Sequence, residues 1–286
     1  MELFQTGKDR YQPAATGADG YAGVDQRALA RVVGSVAVGL PVILWIASHL
    51  PSTDPFIRTC FRFSISHFYY APFWGTVFTG SLVFIGAYLM VYKGEDVHHA
   101  EQRLATFAGF GAFGVALFPT GGWGCDLADF AARPILLFQL IDGAAQIAPA
   151  DFVPGTSLLQ DPGAAFRLFA FASTIHYASA AVVFFFLAWF CFFVFTAVDD
   201  DQRGPDGQPT QVKVVRNVLY YITGSIIVLA ILAMGASVLI PSITGTPWPW
   251  WDAGNWTFWC EAAALVSFGI SWLVKGRFIG WLKDAA

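Results

Sequence analysis

The chain has 286 residues, of which 56% are hydrophobic and 13% charged, and its formal net charge is −4 at pH 7. A soluble domain of this size with that balance would expose large apolar patches, so the composition points to a polytopic membrane protein whose apolar surface faces lipid. There is no basic stripe with interleaved aromatics, which argues against nucleic acid as a partner.

Residues 1–28 are polar and Gly-rich, with Lys8, Asp9, Arg10, Asp19, Asp25 and Arg27, and no short apolar run follows a charged start. No cleavable signal peptide is therefore expected. The first apolar run, about 32–50, is interrupted by Pro41. A membrane helix tolerates this because neighbouring helices satisfy the freed carbonyl. Five more runs follow at about 72–92, 104–120, 167–197, 216–240 and 257–274. Crossing about 30 Å of hydrocarbon takes roughly 20 apolar residues, so each run is read as one span, and the long one at 167–197 tilts or begins outside the hydrocarbon. The expected fold is all-α, a single membrane domain over 1–286 built as a six-helix bundle.

Lys and Arg set the orientation. With the N-terminus cytoplasmic, the inner segments hold Lys8, Arg10, Arg27, Arg31, Lys93, Arg103, Arg203, Lys213, Arg216, Lys275, Arg277 and Lys283, which is twelve of the 16. The outer segments hold Arg58, Arg62, Arg133 and Arg167. That asymmetry predicts both termini inside.

This topology gathers the polar chemistry on the outer half: His49, Ser64, Ser66, His67, Cys125, Asp126, His176 and Glu261. Ser64, Ser66, His67, Tyr69 and Tyr70 run directly into the span that begins at Pro72. Each candidate has a plain alternative. His176 sits on a face with Ser173, Ser179 and Ala180, where an imidazole either hydrogen-bonds a neighbouring helix or serves a ligand. His67 is either an interfacial anchor beside Tyr69 and Tyr70 or a site residue. Glu261 either opposes its own helix dipole, pairs with Arg58 or Arg62, or joins the site.

If these groups meet, His67, His176, Asp126 and Glu261 are the candidate metal ligands, with Zn as the candidate ion, although no HxxxH or HExxH spacing is present. Ser64 or Ser66 with His67 or His176 would make a serine and base pair, without a nucleophile-elbow motif. Ser64, His67, His176 and Glu261 are the catalytic candidates. Cys191 reads as a small packing residue inside its span, whereas Cys60 and Cys125 fall on the side where a disulfide would persist, with Cys260 as a competing partner.

The long outer connection, 121–166, opens with GGWGCD and carries RPILLFQLIDGAAQI. It is expected to place a short helix on the membrane surface, either as a cap over the polar mouth or as an interfacial loop covering nothing. Five Trp in TPWPWWDAGNWTFW, before the last span, form an aromatic belt. The Phe and Trp crowd at 184–195 either faces lipid or packs a bound lipid or pigment. Trp74, Phe185 and Trp189 join His67, Tyr69, Tyr70 and His176 as ligand-binding candidates. Gly75, Thr79 and Gly80, then Gly109, Gly111 and Gly114, then Gly224, Ser225, Gly235 and Ala236 mark helices expected inside the bundle. No span has a charge at its core, which argues against a proton-coupled transporter or ion pump.

The segments SISHFYYAPFWGTVFTGSLVFIGAYLMVYKGED, AGFGAFGVALFPT, IHYASAAVVFFFLAWFCFFVFT and FWCEAAALVSFGISWLVKG resemble a widespread group of uncharacterised bacterial six-span membrane proteins. That group is distantly similar to the superfamily of damage-regulated autophagy modulators and a GPI-anchor lipid-remodelling factor. The resemblance implies six helices, cytoplasmic termini, a bacterial inner-membrane location and lipid-related roles. It carries Ser64, His67, Pro119, His176 and Glu261 as matched positions without assigned roles. A looser likeness to membrane ceramidase-type hydrolases lacks their paired-His spacing.

The functional expectation is a non-catalytic protein that binds lipid or another hydrophobic ligand, or an accessory subunit partnered with other integral membrane proteins. The alternative is a metal-dependent hydrolase of lipid head groups.

Overall fold

The structure is a computed structural model that describes residues 25–53, 57, 59–92, 99–120, 138–141, 144–147, 172–198 and 202–282. Its long helices are α1 (Gln26–Ala47), α2 (Pro72–Val91), α3 (His99–Leu117), α4 (Ala172–Trp189), α5 (Gln211–Thr244) and α7 (Trp256–Lys275). The short helix α6 (Pro249–Ala253) lies between α5 and α7. Contacts run α1 to α2, α2 to α3, α3 to α4, α4 to α5, α5 to α7 and α7 back to α1, so the six long helices close a ring.

Local chemistry explains the helix ends. Asp25 caps α1, its Oδ1 accepting from the N–H groups of Arg27 at 2.9 Å and Ala28 at 3.1 Å. Thr210 caps α5 in the same way through Lys213 N–H at 3.3 Å. Helix α4 passes into a π turn at Phe190–Val194. The carbonyls beyond that turn are satisfied from α5: Lys213 Nζ donates to Phe195 O and Asn217 Nδ2 to Thr196 O, both at 3.0 Å.

Among the described residues, five helical stretches are long and apolar enough to cross a membrane: Gln26–Ala47, Phe73–Val91, Ser173–Val194, Gln211–Thr244 and Trp256–Lys275. The remaining long helix, α3, carries Glu101, Gln102 and Arg103 in its first turn and three glycines further on, which lowers its hydropathy. Large apolar side chains such as Phe107, Leu229, Leu232, Val238 and Ile243 point outward and are exposed, as expected of helices solvated by lipid.

Close helix packing follows from small residues, though not at every position expected. A Cβ on Gly34 would lie 2.7 Å from Gly269 O, and one on Gly269 would lie 2.6 Å from Gly34 O, so α1 and α7 cross with their backbones in contact. Gly86 and Gly109 join α2 to α3 in the same manner, at 3.0 and 2.8 Å. Gly80 and Gly235, expected at helix contacts, have nothing within 4 Å of such a Cβ. Helix α5 is also not the interior helix that its small residues suggested: 11% of its span is buried, against 56% for α7. Outward Leu, Ile and Val dominate α5, and its small residues occupy only part of one face.

The core has two parts. One is aromatic and centred on fully buried Trp272, ringed by Tyr88, Tyr92, Phe190, Phe195 and Phe268. The other packs Leu40, Leu44, Phe68, Phe78 and Phe258 beneath a 3-10 helix, Ile65–Tyr70.

The connection between α3 and α4 corrects an expectation. Phe138–Ile141 (β1) and Ala144–Ile147 (β2) form an antiparallel hairpin, with Ile141 opposite Ala144, where a surface helix was expected. Each strand is four residues long, and the sequence between them is Asp-Gly, a strong hairpin-turn pair.

Candidate functional site

The site begins with the residues ahead of α2. Ser64 has extended backbone and caps the 3-10 helix, its Oγ accepting from Ser66 N–H at 3.1 Å. That hydroxyl also donates to Glu261 on α7, at 3.0 Å from each carboxylate oxygen. Ile65 N–H donates to Glu261 Oε2 at 2.6 Å. A third tie is backbone to backbone, Phe258 N–H to Phe63 O at 2.7 Å. Glu261 thus serves as a cap supplied by another helix, satisfying donors that a short 3-10 turn leaves free.

His176 makes the corresponding link from α4. Its Nδ1 is 2.7 Å from Phe118 O, and its Nε2 is 3.0 Å from Ser66 Oγ. A carbonyl oxygen can only accept, so Nδ1 carries the proton, and in the neutral ring Nε2 accepts the Ser66 hydroxyl. The imidazole, 2% exposed, therefore joins α4, the end of α3 and the 3-10 helix.

These groups line one end of a cavity of about 460 Å³. Ser64, Ser66, His67, His176, Thr257 and Glu261 form its polar end. Phe184 from α4 and Ile231, Met234 and Val238 from α5 form an apolar wall. Tyr177 and Val238, both largely exposed, flank it where α4 and α5 separate. A larger hollow of about 640 Å³ on the α1 and α2 surface is almost wholly apolar apart from Arg31 and two serines, and it offers far fewer groups for chemistry.

The expected cluster assembles in part. Ser64, His67, His176 and Glu261 all reach the cavity. His67 differs from the anchor reading: it is 4% exposed and sits edge-on to Phe63, with ring centroids 4.2 Å apart, because the 3-10 helix folds inward over the Phe68 core. Tyr69 packs against that core, and Trp74 packs there too while donating through Nε1 to Ile57 O at 2.6 Å. Phe185 and Trp189 lie on the outer face of α4, exposed and 6.1 Å apart, away from the cavity lining. The Tyr70 side chain, Asp126 and Cys125 lie outside the described residues. Among the described residues no three His, Cys, Asp or Glu side chains come together as a metal site.

Cys60 is in a disulfide, whereas Cys191 and Cys260 are free thiols. Cys191 is more than a packing residue: its Sγ lies 3.3 Å from Ser271 Oγ, which in turn is 2.7 Å from Thr223 Oγ1.

Sequence reasoning missed the α5 wall and the α6 residues Trp251 and Asp252 of the cavity. The only sequence signal was Gly235 with Ser237, an unusual interruption of an apolar face. Comparison with protein-family models, curated proteins and solved structures finds no match.

Proposed function

We propose that the chain is a six-span integral membrane protein, with both termini on the cytoplasmic side of a bacterial inner membrane, that holds a hydrophobic or amphipathic ligand between α4 and α5. It does so alone or as an accessory subunit of a larger membrane complex. The observation that carries this reading is the cavity of about 460 Å³, with hydrogen-bonding groups at one end and an aliphatic and aromatic wall along the other. Pockets of this size and mixed lining suit small amphipathic ligands. The Lys and Arg asymmetry supports the orientation, and the resemblance to the bacterial six-span group supports the count.

The polar groups are largely committed to the scaffold, Glu261 to Ser64 and Ile65 and His176 to Phe118 and Ser66, which favours holding a ligand over transforming one. Native mass spectrometry of the protein released in mild detergent tests the reading. The expected result is a retained lipid-like mass that is lost in Gly235→Leu, since Gly235 lines the cavity with open space at its Cβ position. Equal retention by both proteins would refute it.

One observation favours a second reading. Ser66 Oγ and His176 Nε2 are at hydrogen-bond distance, and Phe118 O fixes the ring, which is the arrangement of a serine nucleophile and its base. Covalent labelling by a fluorophosphonate probe, abolished in Ser66→Ala, would support acyl transfer; an unlabelled wild-type protein would rule it out.

A further inference from the structure

We infer that the ligand held between α4 and α5 is a cationic amphiphile, an alkyl chain ending in a protonated amine or quaternary ammonium. This rests on the reading that the cavity holds an amphipathic molecule, and it names the head group.

The charge of the lining carries the inference. Two carboxylates, Asp252 of α6 and Glu261 of α7, line the cavity, and among the described residues no Lys or Arg does. An anionic head would lose its hydration beside Asp252 with no Lys or Arg of the described lining to pair with it, whereas a cationic head would pair with Asp252. Glu261 already accepts from Ser64 and Ile65. The Asp252 side chain is exposed and makes no hydrogen bond or ion pair among the described residues, so it is the group available to a ligand.

His176 bonds Phe118 O and Ser66 Oγ through its two ring nitrogens. His67 stands edge-on to Phe63, and Tyr177 is the remaining titratable side chain of the lining.

Aromatic faces give a second, independent argument. Phe63, Tyr177 and Trp251 line the cavity together with the carboxylates. The Trp251 N–H is used, donating to Thr257 Oγ1 at 2.8 Å, so what this indole offers a ligand is its ring. Aromatic faces beside carboxylates attract alkylammonium groups. The wall of Ile231, Met234, Val238 and Phe184 then takes the chain.

The test uses the full chain in zwitterionic lipid nanodiscs, equilibrated separately with dodecylamine, dodecanol and dodecanoate, with bound copies counted by native mass spectrometry. The specific component is the binding that Gly235→Leu removes. We expect it to favour dodecylamine about tenfold or more over the other two, and Asp252→Asn to abolish that preference. A specific component that favours dodecanol or dodecanoate, or none of the three, would overturn the amine assignment and leave the cavity reading standing, and a dodecylamine preference unchanged in Asp252→Asn would overturn Asp252 as the group that meets the head. No specific component for any of the three probes would overturn both.

Discussion

Ser64 and Glu261, 197 residues apart in the chain, share a hydrogen bond in which one hydroxyl lies 3.0 Å from both carboxylate oxygens. The pair fastens the segment ahead of α2 to the first turns of α7 and forms the floor of the cavity. Glu261→Gln keeps the shape but replaces one acceptor oxygen with an NH2 group facing donors. We expect a loss of about 2–3 kcal/mol, and about 1 kcal/mol for Ser64→Ala. Thermal unfolding in detergent reads both, and an unchanged midpoint for Glu261→Gln would mean that the pair does not hold the segment.

His176→Ala removes from a buried site the ring that bonds the Phe118 carbonyl and the Ser66 hydroxyl. A destabilisation of about 2–4 kcal/mol is expected, the sum of an unsatisfied polar group and a cavity. Denaturant unfolding of the purified protein checks it. A neutral effect would indicate that water replaces the ring.

The α1 and α7 crossing predicts a contrast between glycines. Gly269→Ala drives a Cβ to 2.6 Å from Gly34 O and should lower stability by about 1–3 kcal/mol. Gly80→Ala, with nothing within 4 Å, should be neutral or stabilising by up to about 1 kcal/mol through helix propensity. Measured side by side, equal effects would contradict the close crossing.

Gly235→Leu combines the same propensity gain with a filled cavity. Its unfolding midpoint should be unchanged or higher while ligand retention falls, a combination that a misfolded variant would not show.

For the disulfide of Cys60, we propose Cys125 as the partner. Non-reducing peptide mapping of native protein should recover the linked 60 and 125 peptides, and Cys60→Ser should cost about 2–4 kcal/mol. Recovery of both cysteines as free thiols would remove the pairing.

The positions of the long helices were legible in the sequence because lipid imposes a local rule. A span must satisfy its own backbone hydrogen bonds and present apolar side chains for about twenty residues, and a run such as 216–240 declares this without reference to anything else in the chain. Even the exception is local, since Glu101, Gln102 and Arg103 explain why α3 is less apolar than its neighbours. Small residues were less informative. Gly269 and Gly235 look alike in sequence, yet one touches a neighbouring backbone and the other faces open space.

What the sequence by itself determined is therefore the class, the helices and the candidate groups Ser64, His67, His176 and Glu261. Tertiary structure alone decided their roles. The inward fold of the 3-10 helix buried His67, and the placement of α7 turned Glu261 into a cap. The separation of α4 from α5 made a cavity and brought Asp252 to it. The physical reason is one of range: hydrophobic patterning acts between neighbours a few residues apart, whereas a hydrogen bond from Ser64 to Glu261 depends on how every helix between them is packed.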